Sequence, residues 1–211
     1  MNYDSKHTEI LSPKEGYDLV ADQYGTYHRH LNSFYHIEFI RFLPRKPSFD
    51  IIDLWAGDGR MYEALNNIPH GTYIALDISK AMLLKHPRGP KHLVADLEKK
   101  LPLNDDSFDI AVSFFTIEHV ENLGNFFSEV YRILRPEGKL FLGHFFQRRE
   151  FEWTAKKRNF KIKQFRRTTE ELQEEAEKLS LTLGWSAGFR VEVLPLQDKA
   201  DHTGDLLICT K

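Results

Sequence analysis

Cysteine is nearly absent from this sequence: Cys209 is the single one among 211 residues. One thiol excludes an internal disulfide framework and a cysteine-rich metal site. Net charge is nearly absent as well, at -2 for pH 7, so no global field draws the chain toward nucleic acid or an anionic membrane. No apolar run approaches the roughly 20 residues that cross a bilayer. The polar opening MNYDSKHTEILSPKEG lacks the apolar stretch of a secretory signal. These absences set the expectation of a cytoplasmic protein with no membrane partner. Internal repeats and low-complexity segments are missing too. What remains is a chain with 41% hydrophobic and 28% charged residues, ordinary for a globular fold and long enough to bury a substantial core as one domain.

Between residues about 50 and 146, short apolar runs alternate with helical patterns. The runs are Ile51 to Leu54, Tyr73 to Leu76, His92 to Ala95, Phe108 to Phe114 and Lys139 to Phe146. They are nearly continuous rather than alternating, as expected of parallel strands covered on both faces. Leu123, Phe126, Phe127, Val130, Ile133 and Leu134 keep helical spacing, and Pro136-Glu137-Gly138 stops that helix. The repetition predicts an α/β fold with a doubly wound, mostly parallel sheet. Upstream, residues about 14 to 43 read as one or two amphipathic helices carrying Tyr17, Val20 and Tyr24, then Leu31, Phe34, Tyr35 and Phe39. Downstream, Thr168 and Glu171 form a capping-box pattern for a helix with Leu172, Ala176 and Leu179 inward. Two more strands are expected, Phe189 to Leu194 and Asp205 to Thr210.

The turn Asp53-Leu54-Trp55-Ala56-Gly57-Asp58-Gly59 follows a predicted strand and opens a predicted helix at Arg60. Gly57 and Gly59 allow a tight turn and close approach of a ligand, and the helix start presents N–H groups to a carboxylate or phosphate. Asp77 ends the next strand, 24 residues after Asp53, where an acid accepts hydrogen bonds from ribose hydroxyls. Asp96 ends the third, in reach of an adenine edge. Each acid taken alone also reads as a helix cap or a loop residue; three in register mark a nucleoside site along one sheet edge. A dinucleotide fingerprint from Gly57 needs a third glycine where Tyr62 stands, and no Gly-Lys-Ser/Thr phosphate loop is present.

These residues resemble the class I S-adenosylmethionine-dependent methyltransferases. Asp53 to Gly59 looks like that family's first motif and Tyr73 to Met82 its second. Ala95-Asp96-Leu97, Leu101-Pro102-Leu103 and Asp106 to Ser113 resemble the third and fourth, and Glu118 to Leu140 the region after them. The nearest branch is the small-molecule enzymes of quinone and biotin biosynthesis, whose lid carries a pattern like Tyr17-Asp18, Ala21 and Tyr24. The resemblance implies a seven-stranded sheet in a single domain: lid helices over 1–45, a cofactor-binding core over 46–146, a basic insertion over 147–168, and a last helix and two strands over 169–211. It implies S-adenosylmethionine as cofactor, with Asp53, Ala56, Gly57 and Gly59 at its methionine moiety. Asp77 then meets the ribose, Asp96 and Leu97 the adenine, and Ile78 and Met82 the adenine face. Phe114 and Tyr24 complete the pocket. Trp55 stands where this branch has glycine, which leaves a non-catalytic cofactor-fold protein with a narrowed pocket as an alternative.

Methyl transfer from a sulfonium needs positioning and desolvation, and a base only where the acceptor loses a proton. His119 is the leading candidate base, with Glu118 and His144 beside it and Tyr24, His28 and His30 in the lid. Glu118-His119 resembles part of a metal-binding Glu-x-x-Glu-His motif, but Phe115 occupies the first glutamate's position, so no metal is expected. From Lys156 to Arg167, seven of twelve residues are Lys or Arg, with Phe160, Phe165 and Trp153 interleaved. Two readings stand: a docking surface for RNA, an acidic carrier or a phosphorylated molecule, or a solvated helix face balanced by Glu170 to Glu177. The expectation is methyl transfer to a small molecule, with RNA or protein as the alternative acceptor.

Overall fold

The computed structural model describes residues 8–28, 39–147, 152–192 and 201–211. Five parallel strands form the heart of a seven-stranded sheet: β2 (Ile51–Leu54), β3 (Tyr73–Asp77), β4 (Lys91–Val94), β5 (Phe108–Phe114) and β6 (Leu134–Gln147). The order is β4-β3-β2-β5-β6-β10-β9, with β9 (Thr182–Glu192) at one edge and β10 (Asp201–Thr210) antiparallel to both its neighbours. The chain thus winds outward from β2 in one direction and from β5 in the other, the doubly wound, mostly parallel arrangement expected from the apolar runs.

Strands β2, β3 and β5 are buried on both faces because alternate side chains feed two cores. Ile52, Leu54, Ile74 and Leu76 pack with Phe126, Phe127 and Val130 of α4 (Leu123–Ile133) and with Leu172 and Ala176 of α5 (Thr169–Lys178). Ile51, Tyr73 and Ala75 pack on the other face with Phe39, Phe49, Met61 and Leu65. Two short helices connect the strands, α2 (Arg60–Ala64) and α3 (Lys80–Leu83).

A third core belongs to a cap. Its frame is a small sheet in which β1 (Glu9–Leu11) runs parallel to β8 (Arg158–Ile162), itself in a hairpin with β7 (Glu152–Ala155). Against it lies α1 (Pro13–His28), started by a capping box. Glu15 N–H donates to Ser12 Oγ at 3.3 Å, Ser12 N–H to the Glu15 carboxylate at 3.2 Å, and Pro13 takes the first helical position. Tyr17, Val20 and Ala21 of α1 meet Trp153, Phe160 and Ile162 of the hairpin, and this cluster closes on Met82 and Trp55 of the main domain.

The structure corrects four expectations. Residues 156–167 contain no helix: Lys156 and Lys157 make the hairpin turn with φ of 48° and 64°, and strand β8 follows. Trp153 and Phe160 alternate inward as cap core, a period-2 pattern that the density of charge obscures. Strand β9 starts at Thr182 rather than Phe189; Val193 and Leu194 lie outside the described residues. Pro136-Glu137-Gly138 lies within β6, where a register shift accommodates Glu137 at φ 64°. Half of the predicted box at Thr168 forms: its Oγ1 accepts from Glu171 N–H at 3.1 Å, while the Glu171 carboxylate pairs with Arg167 at 2.8 Å. The second N-terminal helix falls largely on residues 29–38, outside the described residues; Phe39 is wholly buried against Phe141 and Phe114.

Candidate active site

Strand β2 ends at the point where the sheet order reverses, and the turn after it faces the cap. Trp55 leaves the strand with φ 78°, and its N–H and that of Ala56 both donate to Leu76 O, at 2.7 and 2.8 Å. Gly57 follows at φ 58° and Gly59 at φ 92°. A Cβ on Gly59 would stand 2.3 Å from Pro87 Cδ and 2.8 Å from His86 Cδ2, so glycine is required there by space as well as by backbone.

The three acids differ in their environments. Asp77 is wholly buried and accepts from Gly57 N–H at 2.9 Å and Ser79 N–H at 2.7 Å. Burial pushes its carboxyl up to about 7 against the pull of those two donors. Asp53, 4% exposed, accepts from the Tyr73 hydroxyl at 2.6 Å, and burial pushes it up to about 7 as well. Asp96 is partly buried; it accepts from Glu98 N–H at 3.0 Å and meets Lys99 at 3.4 Å.

A cavity of about 50 Å³ opens beside the turn. Five of the predicted cofactor residues line it: Tyr24, Asp53, Ala56, Gly57 and Phe114. Gly59, Asp77, Ile78, Met82, Asp96 and Leu97 are outside its wall. The remaining wall comes from Trp55, Asp58, Arg60, Met61 and Phe115. Of these, Asp58 and Arg60 flank the second glycine in sequence, which was a usable signal. Phe115 follows Phe114 at φ 58° and stacks on Phe145 with centroids 4.3 Å apart; nothing in the sequence marks that turn. The volume holds one or two waters, far below the roughly 300 Å³ that begins the range for cofactor-sized pockets.

Helix α1 closes the site. Asp18 accepts from Ser79 Oγ at 2.6 Å and Ala81 N–H at 3.3 Å, seating the helix on the start of α3. Tyr24 carries the Arg60 guanidinium 5.5 Å from its ring centroid. His119, 4% exposed, joins three parts of the structure. Its Nδ1 lies 2.8 Å from Lys163 O, its Nε2 lies 2.8 Å from the Tyr17 hydroxyl, and its ring stacks on Trp55 at 5.6 Å. A carbonyl only accepts, so Nδ1 carries the proton and Nε2 accepts from Tyr17.

The other base candidates are placed differently. Glu118 is buried and accepts from Phe145 N–H at 2.6 Å. His144 is wholly buried with Nε2 3.2 Å from Thr169 Oγ1, which bonds to Asp205; burial pushes the imidazole down to about 4. The His28 side chain and His30 lie outside the described residues. Among the basic residues, Arg158 pairs with Glu9 at 2.7 Å, Lys163 with Glu121 at 2.8 Å and Arg167 with Glu171 at 2.8 Å. At least three of that segment's seven cations are therefore paired inside the protein.

Comparison with known proteins agrees with this architecture. The family described as "Methyltransferase domain" matches residues 52–142. An uncharacterized protein of Methanocaldococcus jannaschii is 30% identical over 146 residues, covering 65% of this chain and 53% of that protein. A demethylmenaquinone methyltransferase of Lactobacillus johnsonii is 32% identical over 114 residues, covering 49% of this chain and 46% of the relative. The chain thus spans about half the length of the curated relatives it matches. Among solved structures, a methyltransferase of Thermotoga maritima, described as a possible histamine N-methyltransferase, superposes with TM-score 0.68 at 19% identity, covering 94% of this chain and 99% of that one. An S-adenosylmethionine-dependent methyltransferase of Mesorhizobium loti superposes with TM-score 0.64 at 20% identity, covering 86% and 100%. Those likenesses show the fold. Among the described residues, no helix is long and apolar enough to cross a membrane.

Proposed function

We propose, because the chain belongs to the class I S-adenosylmethionine-dependent methyltransferases, that it binds this cofactor at the turn from Asp53 to Gly59 and transfers its methyl group to a small-molecule acceptor. The observation that carries the reading is the position of that turn. It leaves the central strand where the sheet order reverses, beside the ends of β3 and β5, which is where open α/β sheets hold ligands. Gly57 and Gly59 keep side chains out of the way of the cofactor's methionine moiety. Asp77 takes the ribose, Asp96 and Leu97 the adenine edge, and Ile78 and Met82 an adenine face. The donor set suits a cationic adenosine derivative; Tyr24 of α1 forms the cap-side wall of the cavity.

When bound, the cofactor supplies a methyl group already activated on sulfonium, so the chain's work is to align the acceptor and exclude water. Tyr24, Trp55, Phe114 and Phe115 give the cavity an aromatic wall, which suits a flat ring. The relatives named demethylmenaquinone methyltransferases support an acceptor of that kind. For an acceptor that loses a proton, His119 acts through Tyr17: the acceptor's proton passes to the Tyr17 oxygen as the Tyr17 proton passes to Nε2.

A second reading, a cofactor-fold protein without transfer activity, is favoured by one observation: Trp55 lines the small cavity at a strained φ of 78°. Calorimetry separates the two. Heat of binding with S-adenosylmethionine and with its demethylated product S-adenosylhomocysteine is expected; absence of both rejects the cofactor reading.

A further inference from the structure

A net charge of -2 conceals an uneven distribution. From Lys80 to Lys100 six side chains are Lys or Arg and only two, Asp96 and Glu98, are acidic. The start of this segment meets the basic hairpin across α1. Asp22 of α1, its side chain 84% exposed, pairs with Lys85 at 2.6 Å and lies in the field of Lys156. Lys80 and Leu84 share one side of α3, four positions apart, with Leu84 N–H donating to Lys80 O at 3.1 Å. Leu84 is 75% exposed, more than any other large hydrophobic side chain among the described residues. On the opposite flank of α1 the turn between β7 and β8 is two residues long and both are lysine, Lys156 at φ 48° and Lys157 at φ 64°. A hairpin turn with positive φ at both positions ordinarily takes Asn-Gly, so strain is accepted there and the tip carries charge. Between that tip and α1 lies an open hollow of about 280 Å³, lined by Leu11, Leu19, Glu15, Asp18, Lys156 and Arg158.

The acids of this ridge are already engaged: Glu9 by Arg158, Asp18 by Lys14 and Ser79, and Glu15 by Ser12. Lys80 and Lys157 are exposed and form no ion pair among the described residues. The ridge thus carries unspent positive charge beside a bare leucine. We infer that it is a docking surface for an anionic lipid membrane, with Lys80, Lys156 and Lys157 at headgroup phosphates and Leu84 in the acyl boundary. The apolar component decides between polyanions. Single-stranded nucleic acid offers similar phosphates but is held by stacking on aromatic rings, and no described Phe, Tyr or Trp side chain is exposed. An exposed aliphatic side chain gains by leaving water for hydrocarbon and finds none on a phosphate backbone. Docking of this kind needs no spanning helix. It turns α1 and the hairpin, the cap over the cavity, toward the lipid, and it holds whether or not the cofactor reading does.

The test sediments the full chain with two kinds of vesicle, phosphatidylcholine alone and phosphatidylcholine with phosphatidylglycerol as about a third of the lipid. Partition onto the anionic vesicles, absent from the neutral ones and falling as salt rises, is expected. Lys80→Gln, Lys156→Gln and Lys157→Gln combined should weaken it about a hundredfold, roughly fivefold for each cation removed. Leu84→Ser should weaken it about tenfold through the lost apolar burial. All four side chains are exposed, and a cooperative unfolding transition like the parent's shows that each variant is folded; the wild-type comparison of anionic with neutral vesicles stands without any variant. No partition onto anionic vesicles, equal partition onto both kinds, or unchanged partition in either variant overturns the inference. Single-stranded RNA tests the other polyanion: RNA held more tightly than vesicles, with no change in Leu84→Ser, assigns the cations to nucleic acid and overturns the lipid surface.

Discussion

Replacing Trp55 with glycine sets two effects against each other at one position. The residue sits at φ 78°, a left-handed conformation that costs a side-chain-bearing residue about 1–2 kcal/mol, and glycine removes that strain. Against this stand the contacts. Trp55 is half-buried, stacks on His119 at 5.6 Å and meets the Tyr17 ring edge-on at 6.1 Å. Removing a fully buried large aromatic costs about 3–5 kcal/mol, so a half-buried one costs roughly half of that. The two ring pairs add about 0.5–1.5 kcal/mol each. Packing therefore wins, and Trp55→Gly should be about 2–3 kcal/mol less stable, a fall on the order of 10 °C in melting temperature for a chain of this size. The same change widens the cavity that Trp55 lines, so S-adenosylhomocysteine should bind more tightly to the variant. Urea unfolding and calorimetry on the same preparation measure both. A variant as stable as the parent shows that strain outweighs packing; weaker binding shows that the indole is a wall the ligand uses and not a plug.

Three further perturbations follow. Gly59→Ala places a Cβ 2.3 Å from Pro87 at a φ of 92°, and overpacking plus the backbone cost should remove about 2–5 kcal/mol of stability by urea titration; a loss under about 1 kcal/mol means the turn is looser than described. Asp53 and Asp77 are both raised to about 7 by burial. Their folded values lie above the ordinary carboxylate range, so their contribution is full below about pH 4 and is lost as pH rises through 7, at up to about 1.4 kcal/mol per pH unit for each group. Unfolding free energy should therefore fall from pH 5 to pH 8, and Asp53→Asn should flatten the slope; an equally steep slope in the variant removes Asp53 as its source. His119→Ala should lower turnover far more than cofactor affinity, and an unchanged rate removes His119 from the mechanism.

The core sheet was legible because strands β2, β3 and β5 are buried on both faces. Ile51 to Leu54 and Phe108 to Phe114 are apolar runs whose only packing solution is a covered parallel sheet. The turn was legible because Gly57 and Gly59 adopt conformations other residues avoid, and the structure gives each a positive φ. Helix α1 of the cap was legible from its amphipathic spacing, but the cap's small sheet was not, for two physical reasons. Strand β1 is three residues long and finds its partner, β8, some 150 positions away in sequence, a pairing that no local pattern encodes. The hairpin hides an alternation of Trp153, Ala155, Phe160 and Ile162 beneath Lys and Arg side chains whose charge is met by Glu9 and Glu121. Charge density drew attention to the surface of a segment whose inner face closes the site. His119 shows a subtler gap. Its place beside the fourth strand was readable, but its bonds to Tyr17 and Lys163 depend on the cap and were not.

The most direct test of the cofactor site is titration of the purified chain with S-adenosylhomocysteine by calorimetry, at neutral pH and without added acceptor. Binding at one site per chain, weakened by Gly59→Ala, is the expected result. No heat at millimolar ligand, from a chain that unfolds cooperatively and so is folded, contradicts it.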